Sequence, residues 1–304
     1  MEFYQLEAFV AVVAQRSFSK AAQQLFLSQP TVSAHVKSLE TELAMPLLDR
    51  GKNEIILTSA GETLYRYARD LLDIRANALA DIRSSNIVSE ETLTIAASSV
   101  PCQYLLPQIV AAFELQFPMV SVALKQENSR QVCEDVHNYH YPYGIVGEKH
   151  FLPRLTYTAL LNDELVLAVP NREEYQELLH KNNLTVADII GYKLLMREPG
   201  SGTRSFFEAE LLKNGITLND IHFTVYNSQE TIKQVVRRGL GITIISRLVM
   251  EDYQEFGLVA VRSLQDLDLK REFYLVHHDK RILSPAAKAL RDFIMKTYYQ
   301  EDRK

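Results

Sequence analysis

The chain of 304 residues has no tryptophan and only two cysteines, Cys102 and Cys133. Two thiols are too few for a disulfide framework. No apolar run approaches the ~20 residues that span a bilayer. The opening stretch, MEFYQLEAF, lacks the basic segment and apolar core of a secretory leader. A cytoplasmic protein with no membrane partner is the expectation. Several chemistries have no residues to carry them. There is no GxSxG, HExxH or Walker-type loop. Gly239-Leu240-Gly241 runs into a strand-like segment rather than a helix, so it is not a dinucleotide fingerprint. His137 with His140, and His277 with His278, have no cysteine or carboxylate cluster at ligand spacing. No cofactor, no metal and no catalysis are expected. Excess positive charge is missing too: the formal net charge is −5. Residues 1–58 hold five Lys/Arg (Arg16, Lys20, Lys37, Arg50, Lys52) against six Asp/Glu (Glu2, Glu7, Glu40, Glu42, Asp49, Glu54), a net of −1. Non-specific attraction to phosphate is therefore modest, and any DNA affinity rests on a few well-placed contacts.

What is present begins with SFSKAAQQLFLSQPTVSAHVKSLE, residues 17–40. Ala21, Ala22 and Leu25 line one face of a first short helix. Ser28 is placed to cap a second, and Pro30 falls in its first turn, where the missing N–H costs little. Val32, Val36 and Leu39 give that helix a buried back. Gln29, Thr31, Ser33, His35, Lys37 and Ser38 give it a front of hydrogen-bonding groups, as a helix-turn-helix offers the major groove. Phe3 to Ala14 has the 3.6-residue period of a helix that packs behind the pair. Gly51, Lys52 and Asn53 are turn residues, and Glu54 to Thr58 reads as a strand, which together make a hairpin-like wing with Arg50 at its tip as a phosphate or minor-groove contact. From Thr58 or Ser59 to about Ser85 a helix of roughly 40 Å carries a seam of Leu64, Ala68, Leu71, Arg75, Ala78 and Ile82, which suits self-association. SNIVSEE (85–91) reads as a polar hinge.

From Leu93 onward the texture alternates. Strands are expected at 93–98, 120–125, 143–148, 164–170, 192–198, 223–227 and 241–246, with helices at 105–117 and 130–138 and helical patterns between the later strands. Alternation of this kind predicts parallel sheets covered by helices. About 210 residues is large for one such sheet, so two smaller sheets flanking a cleft are expected, with ligands at the carboxyl ends of strands. Tyr139, Tyr141 and Tyr143 alternate as on a strand edge. Ser98-Ser99-Val100 and Ser201-Gly202-Thr203 are hydroxyl-rich turns before helices, where free N–H groups and the positive helix end favour anions. The same residues also serve as ordinary helix caps. Asn128, Ser129, Gly147 and Ser228 occupy comparable loops.

With these elements in this order the chain resembles the LysR-type transcriptional regulators along essentially its whole length. The stretch 17–40, then LAMPLLDR, then LTSAGETL carry the resemblance most strongly, and REPGSGTR (197–204) and GLGITIIS (239–246) extend it. It implies an α/β fold with an N-terminal winged helix-turn-helix, a long dimerising linker helix and a C-terminal two-subdomain effector domain like the periplasmic solute-binding proteins. The corresponding boundaries are 1–58, 59–91 and 92–304, the last dividing into 92–161 plus 267–304, and 162–266. It implies a homodimer or homotetramer that binds promoter DNA under control of a small-molecule effector. Gln29, Pro30 and Ser33 match recognition-helix contacts, and Arg50 matches the wing contact. The chain departs from the pattern at Ala34-His35, where relatives carry arginine after the serine, and at Glu54, where they carry a second basic residue. SSVPCQYLLP with REPGSGTR looks most like the branch tied to sulfur or selenium metabolism, which points to an oxyanion or a sulfur metabolite. The alternative is a cytosolic small-molecule binding protein whose N-terminal domain contacts other proteins.

Overall fold

A computed structural model describes residues 1–50, 55–82 and 91–301. The N-terminal domain is specified by local signals. Helices α1 (Phe3–Gln15), α2 (Phe18–Gln24) and α3 (Gln29–Leu43) precede a two-stranded wing, β1 (Leu48–Arg50) and β2 (Ile55–Leu57). Ser17 and Ser28 cap α2 and α3 by accepting the backbone N–H of Lys20 and Thr31. Val32, Val36 and Leu39 are wholly buried against Phe9, Val12 and Ala21. Each such side chain contributes about 1.5–3 kcal/mol relative to exposure. Gly51 to Glu54, and with them Lys52, lie outside the described residues, as does the hinge at 85–90.

Helix α4 (Ser59–Ile82) starts where Thr58 accepts the N–H of Gly61 and donates its hydroxyl to the Pro46 carbonyl at 2.7 Å. The expected seam on α4 is corrected in part. Leu64 and Ala68 pack into the N-terminal domain's own core, and Arg75 pairs with Glu7 at 2.7 Å. Of the expected seam Leu71 and Ile82 stay open, joined on that face by Tyr67 and Ile74. The open face is displaced around the helix because tertiary burial by α1, not period alone, decides which side of the stripe is covered.

The remainder comprises β3 (Glu91–Ala97), α5 (Leu106–Gln116), β4 (Val120–Gln126), α6 (Ser129–His137), β5 (Tyr143–Val146), β6 (Leu155–Pro170), α7 (Gln176–His180), α8 (Val186–Ile189), β7 (Leu194–Arg197), α9 (Gly202–Lys213), β8 (Phe223–Tyr226), α10 (Gln229–Arg237), β9 (Thr243–Ser246), α11 (Arg247–Glu255), β10 (Val259–Arg262), β11 (Lys270–His278) and α12 (Pro285–Glu301). Strand β3 runs parallel to β4 and β5, but β11 is antiparallel to β5 and β6, and β6 is antiparallel to β9 and β10. The expected parallel pairing holds for β3 with β4 and β5 and for β7 with β8, but the strands that link the lobes are antiparallel. The sixteen-residue β6 is the reason. Its first half pairs with β11 in one lobe and its second half with β9 and β10 in the other, so one strand serves both lobes. The register between β6 and β11 slips at Phe273/Tyr274, a bulge of the kind that re-aims side chains beside sites. Tyr139 and Tyr141 are not in a strand; Tyr139 follows α6 in the left-handed region, at φ 65°.

The two parts of the chain are joined by polar contacts on α4. Arg281, just past β11, is buried; it donates to the Tyr139 carbonyl at 2.7 Å and pairs with Asp73 of α4 at 3.4 Å. Burial lowers the pKa of its guanidinium to about 10. Asp70 accepts the Ile282 N–H, and Asn77 donates to the Leu283 carbonyl. Below this contact His278 Nδ1 accepts the Lys280 N–H at 3.2 Å and faces the Tyr139 hydroxyl at 3.3 Å.

Two outcomes are expected. A Cβ on Gly61 would lie 2.0 Å from the Leu47 carbonyl oxygen, so Gly61→Ala should destabilise the N-terminal domain by about 1–3 kcal/mol, read by urea unfolding. His278 has its pKa lowered, chiefly by burial. Its folded pKa lies below the unfolded value, so the unfolded state takes up the proton first. Its stabilising contribution is full above the unfolded pKa and is lost as pH falls through the folded one. Acidification from pH 7 to about pH 5 should lower the thermal midpoint, and His278→Gln should flatten that slope.

Candidate functional site

The candidate DNA-reading surface is the front of α3. Gln29, Pro30 and Lys37 are exposed, and Thr31 and Ser33 are half-buried. Thr31 is engaged by the Ser28 hydroxyl at 2.7 Å. His35 packs its ring 4.7 Å from Tyr4 of α1, and Ser38 accepts from Gln5, which ties it to α1 rather than to the front. The acidic balance of this domain is less adverse than a count implies. Glu7 is paired with Arg75, and Glu40 accepts the N–H groups of Leu47 and Leu48 at the base of the wing. Arg50 closes β1 opposite Ile55.

The candidate effector site assembles at strand ends. Ser98 and Ser99 follow β3, Asn128 and Ser129 follow β4, and Gly147 follows β5. From the other lobe come Ser201, Gly202 and Thr203, where α9 begins. Together with Val100 these nine sequence-predicted residues line one cavity. Ser228 does not line it; its hydroxyl caps α10 by accepting the Thr231 N–H. Arg197, Arg271 and Phe273 complete the lining. The enclosed volume is about 20 Å³, room for a single water, so the lobes are closed on each other. Gly202 makes the closure possible: a Cβ there would meet Glu148 Cβ at 3.1 Å and Ser129 Oγ at 3.2 Å. Gly200, at φ 88°, sets the turn that leads into it.

The hydroxyls divide into two kinds. Thr203 accepts from Arg271 at 3.3 Å, and Ser99 from Arg197 at 3.2 Å. Ser98, Ser129 and Ser201 are buried as residues, and among the described residues no hydrogen bond fixes their hydroxyls, which face the cavity. Ser201 is therefore not acting as a side-chain cap for α9, whereas Asn128 does cap α6 through the Gln131 N–H. Both arginines already have carboxylates. Arg197 is forked onto Glu198 at 2.8 and 2.9 Å. Arg271 of β11 is held by Asp163 of β6 at 2.8 Å, with both side chains essentially sealed from solvent and the second Asp163 oxygen taking the Ser246 hydroxyl at 2.7 Å. Burial lowers the Arg271 pKa, opposed by Asp163. The lining is thus a set of neutral donors with two compensated cations, suited to a small anion that can be wrapped by hydroxyls rather than to a highly charged one.

Cys102 is half-buried and Cys133 buried, with burial pushing both thiols up. Among the described residues no three His, Cys, Asp or Glu side chains gather as for a metal ion, and no helix is long and apolar enough to cross a membrane. Sequence reasoning missed Arg271 and Phe273, and quoted Arg197 without a role. The signal for Arg197 was its place beside the GSGT turn.

A winged helix-turn-helix on a long helix, joined to a two-lobed domain closing on a polar cavity, defines a ligand-responsive DNA-binding protein. Residues 3–62 match the family model described as bacterial regulatory helix-turn-helix protein, lysR family, and residues 88–298 match the LysR substrate binding domain. The chain belongs to the LysR family of DNA-binding transcriptional regulators. Among similar proteins are the HTH-type transcriptional regulator CysL of Bacillus subtilis, 29% identical with 90% of this chain and 89% of the relative covered. A probable RuBisCO transcriptional regulator of Chlorokybus atmophyticus is 30% identical, with 93% and 91% covered. The fold is shared with a full-length OxyR variant from Pseudomonas aeruginosa, at TM-score 0.77 and 19% identity over 97% of this chain and 94% of that one.

The Asp163–Arg271 pair yields a direct test. Asp163→Asn leaves a buried cation without its counter-charge and should cost about 3–5 kcal/mol. The double variant Asp163→Leu/Arg271→Met should be less destabilised than the sum of its parts in denaturant unfolding.

Proposed function

We propose that this regulator reads promoter DNA with Gln29, Pro30, Thr31, Ser33, His35 and Lys37 of α3 and with Arg50 and Lys52 of the wing. Its effector is a small anion, an oxyanion or a sulfur-related metabolite, held by Ser98, Ser99, Val100, Asn128, Ser129, Gly147, Ser201, Gly202 and Thr203. The observation that carries the effector reading is the convergence of three serines from both lobes, Ser98, Ser129 and Ser201, on one small cavity. Asp163 and Glu198 beside it are both occupied by arginines, which favours binding without turnover; the reading is of a cytoplasmic regulator that uses no cofactor. The open apolar face of α4 supports a homodimer through that helix, and two dimers would form the tetramer.

In this reading the effector acts by favouring one arrangement of the lobes, since a ligand shifts an equilibrium only by its differential affinity. Strand β11 begins at the cavity with Arg271 and ends beside Arg281, which holds α4. It is paired on both sides, by β5 and β6, so a shift at its start is carried to the linker helix. A coupling of about 1–3 kcal/mol is the usual scale.

The test is footprinting on DNA upstream of the protein's own gene, with a panel of inorganic oxyanions and sulfur metabolites. Protection of two half-sites, shifted by one panel member, is the expected result. Ser33→Ala with Arg50→Ala should weaken DNA binding by about tenfold or more while the effector still binds. Ser98→Ala with Ser201→Ala should abolish the shift while DNA is still protected. Protection that shifts with no panel member would discard the anion reading.

A further inference from the structure

The cleft continues past Arg271. On the other side of that guanidinium lies a second cavity of about 470 Å³, within the range that holds a small organic ligand. Gly147 and Arg271 line both cavities. The larger one is walled by Glu148 and Lys149 after β5, by Phe206 on α9, and by Lys270 and Tyr274 on β11. It differs from the first cavity in both size and chemistry, because hydroxyls dominate the first, whereas aromatic faces and free cations dominate the second.

Lys149 and Lys270 have no carboxylate partner among the described residues. Lys149 Nζ sits 4.0 Å from the centroid of the Tyr274 ring. The Tyr274 hydroxyl is turned to Glu272 at 2.8 Å, which leaves its ring as wall and occupies the nearer carboxylate. Glu148 Oε2 is buried with no hydrogen-bond partner, 3.5 Å from the equally unpartnered Nε2 of His150. A wall with two uncommitted ammonium groups, two aromatic surfaces and one orphan acceptor describes a complementary molecule. It has an acid group, a flat apolar body and a hydrogen-bond donor.

We infer that this second cavity is a binding site for a small organic anion of that kind, separate from the hydroxyl-lined cavity and sharing Arg271 with it. A bare oxyanion is too small for it and finds no hydrophobic contact of its own. Because Arg271 is a wall of both sites, occupancy of one alters the affinity of the other, and the coupling is reciprocal.

The test uses 8-anilinonaphthalene-1-sulfonate, an aromatic sulfonate with an N–H donor, titrated by fluorescence into the full-length protein. Saturable binding at one site per chain is expected. Lys270→Glu, which reverses a free cation, and Ala209→Trp, which fills the cavity from the exposed side of α9, should each weaken it by about fivefold or more. Both positions are exposed, and circular dichroism checks that the variants fold. Ser98→Ala, in the other cavity, should leave dye binding unchanged. Unsaturable binding, or wild-type affinity in both Lys270→Glu and Ala209→Trp, overturns the inference, because the dye then sits on an apolar surface such as α4. Loss of dye binding in Ser98→Ala also overturns it, by placing the probe in the first cavity. If the dye fails to bind while an oxyanion still shifts the footprint, the second site falls and the regulator's anion site stands. If the dye binds as expected while no panel member shifts the footprint, the second site stands and the anion reading falls.

Discussion

The buried pair between Asp163 and Arg271 is the constraint on which the effector domain is arranged. Two long antiparallel strands, β6 and β11, carry the chain between the lobes, and the pair cross-links them at the point of passage. An ion pair sealed from water gains Coulomb energy but loses hydration, and it is weak evidence of stability in itself. Its effect here is geometric. Asp163 is held by Arg271 and by the Ser246 hydroxyl of β9, and Arg271 reaches on to Thr203 at the start of α9. Four elements from both lobes are thereby fixed by one network, and the network's far end is a wall of the hydroxyl-lined cavity.

The same pair explains where sequence reading stopped. The N-terminal domain was legible because its signals are local: Ser28, Pro30 and the Val32, Val36, Leu39 stripe define α3 without reference to anything distant. Most of the cavity lining was legible for a related reason, since hydroxyl-rich turns follow strands that alternate with helices. Strand β6 was read only from residue 164 because Asn162 and Asp163 interrupt the apolar pattern that precedes it. Strand β11 was not read as a strand because Arg271 and His278, which face inward, occupy positions where alternation calls for apolar side chains. Each charge is intelligible only with its partner, which comes from about a hundred residues away in sequence for the pair itself. A long-range ion pair erases the pattern of both strands that bring it together.

Helix α4 illustrates a second limit. A heptad-like period identifies a stripe, but α4 is contacted by α1 on one side and by the loop after β11 on another. These contacts cover Leu64 and Ala68, divert Arg75 to Glu7, and leave Tyr67, Leu71, Ile74 and Ile82 in the open. Period alone cannot separate a side already covered within the chain from one left for a second copy.

Closure of the lobes and attachment of the linker helix meet on the same strand. The glycine at 202 lets α9 approach Glu148 and Ser129 so closely that about 20 Å³ remains between the hydroxyls. Any anion larger than a water molecule must therefore part the lobes to enter. Parting them moves α9 relative to β5, and Arg271 bonds to Thr203 on α9 while β11 is laddered to β5. The displacement has to be taken up either at Arg271 or along β11. Pairing on both edges makes β11 stiff, and its outer end continues into Arg281, whose buried guanidinium is held by Tyr139 and Asp73 through its two terminal nitrogens. A buried cation tolerates loss of those partners poorly, so the Arg281 contact ties α4 to the end of β11.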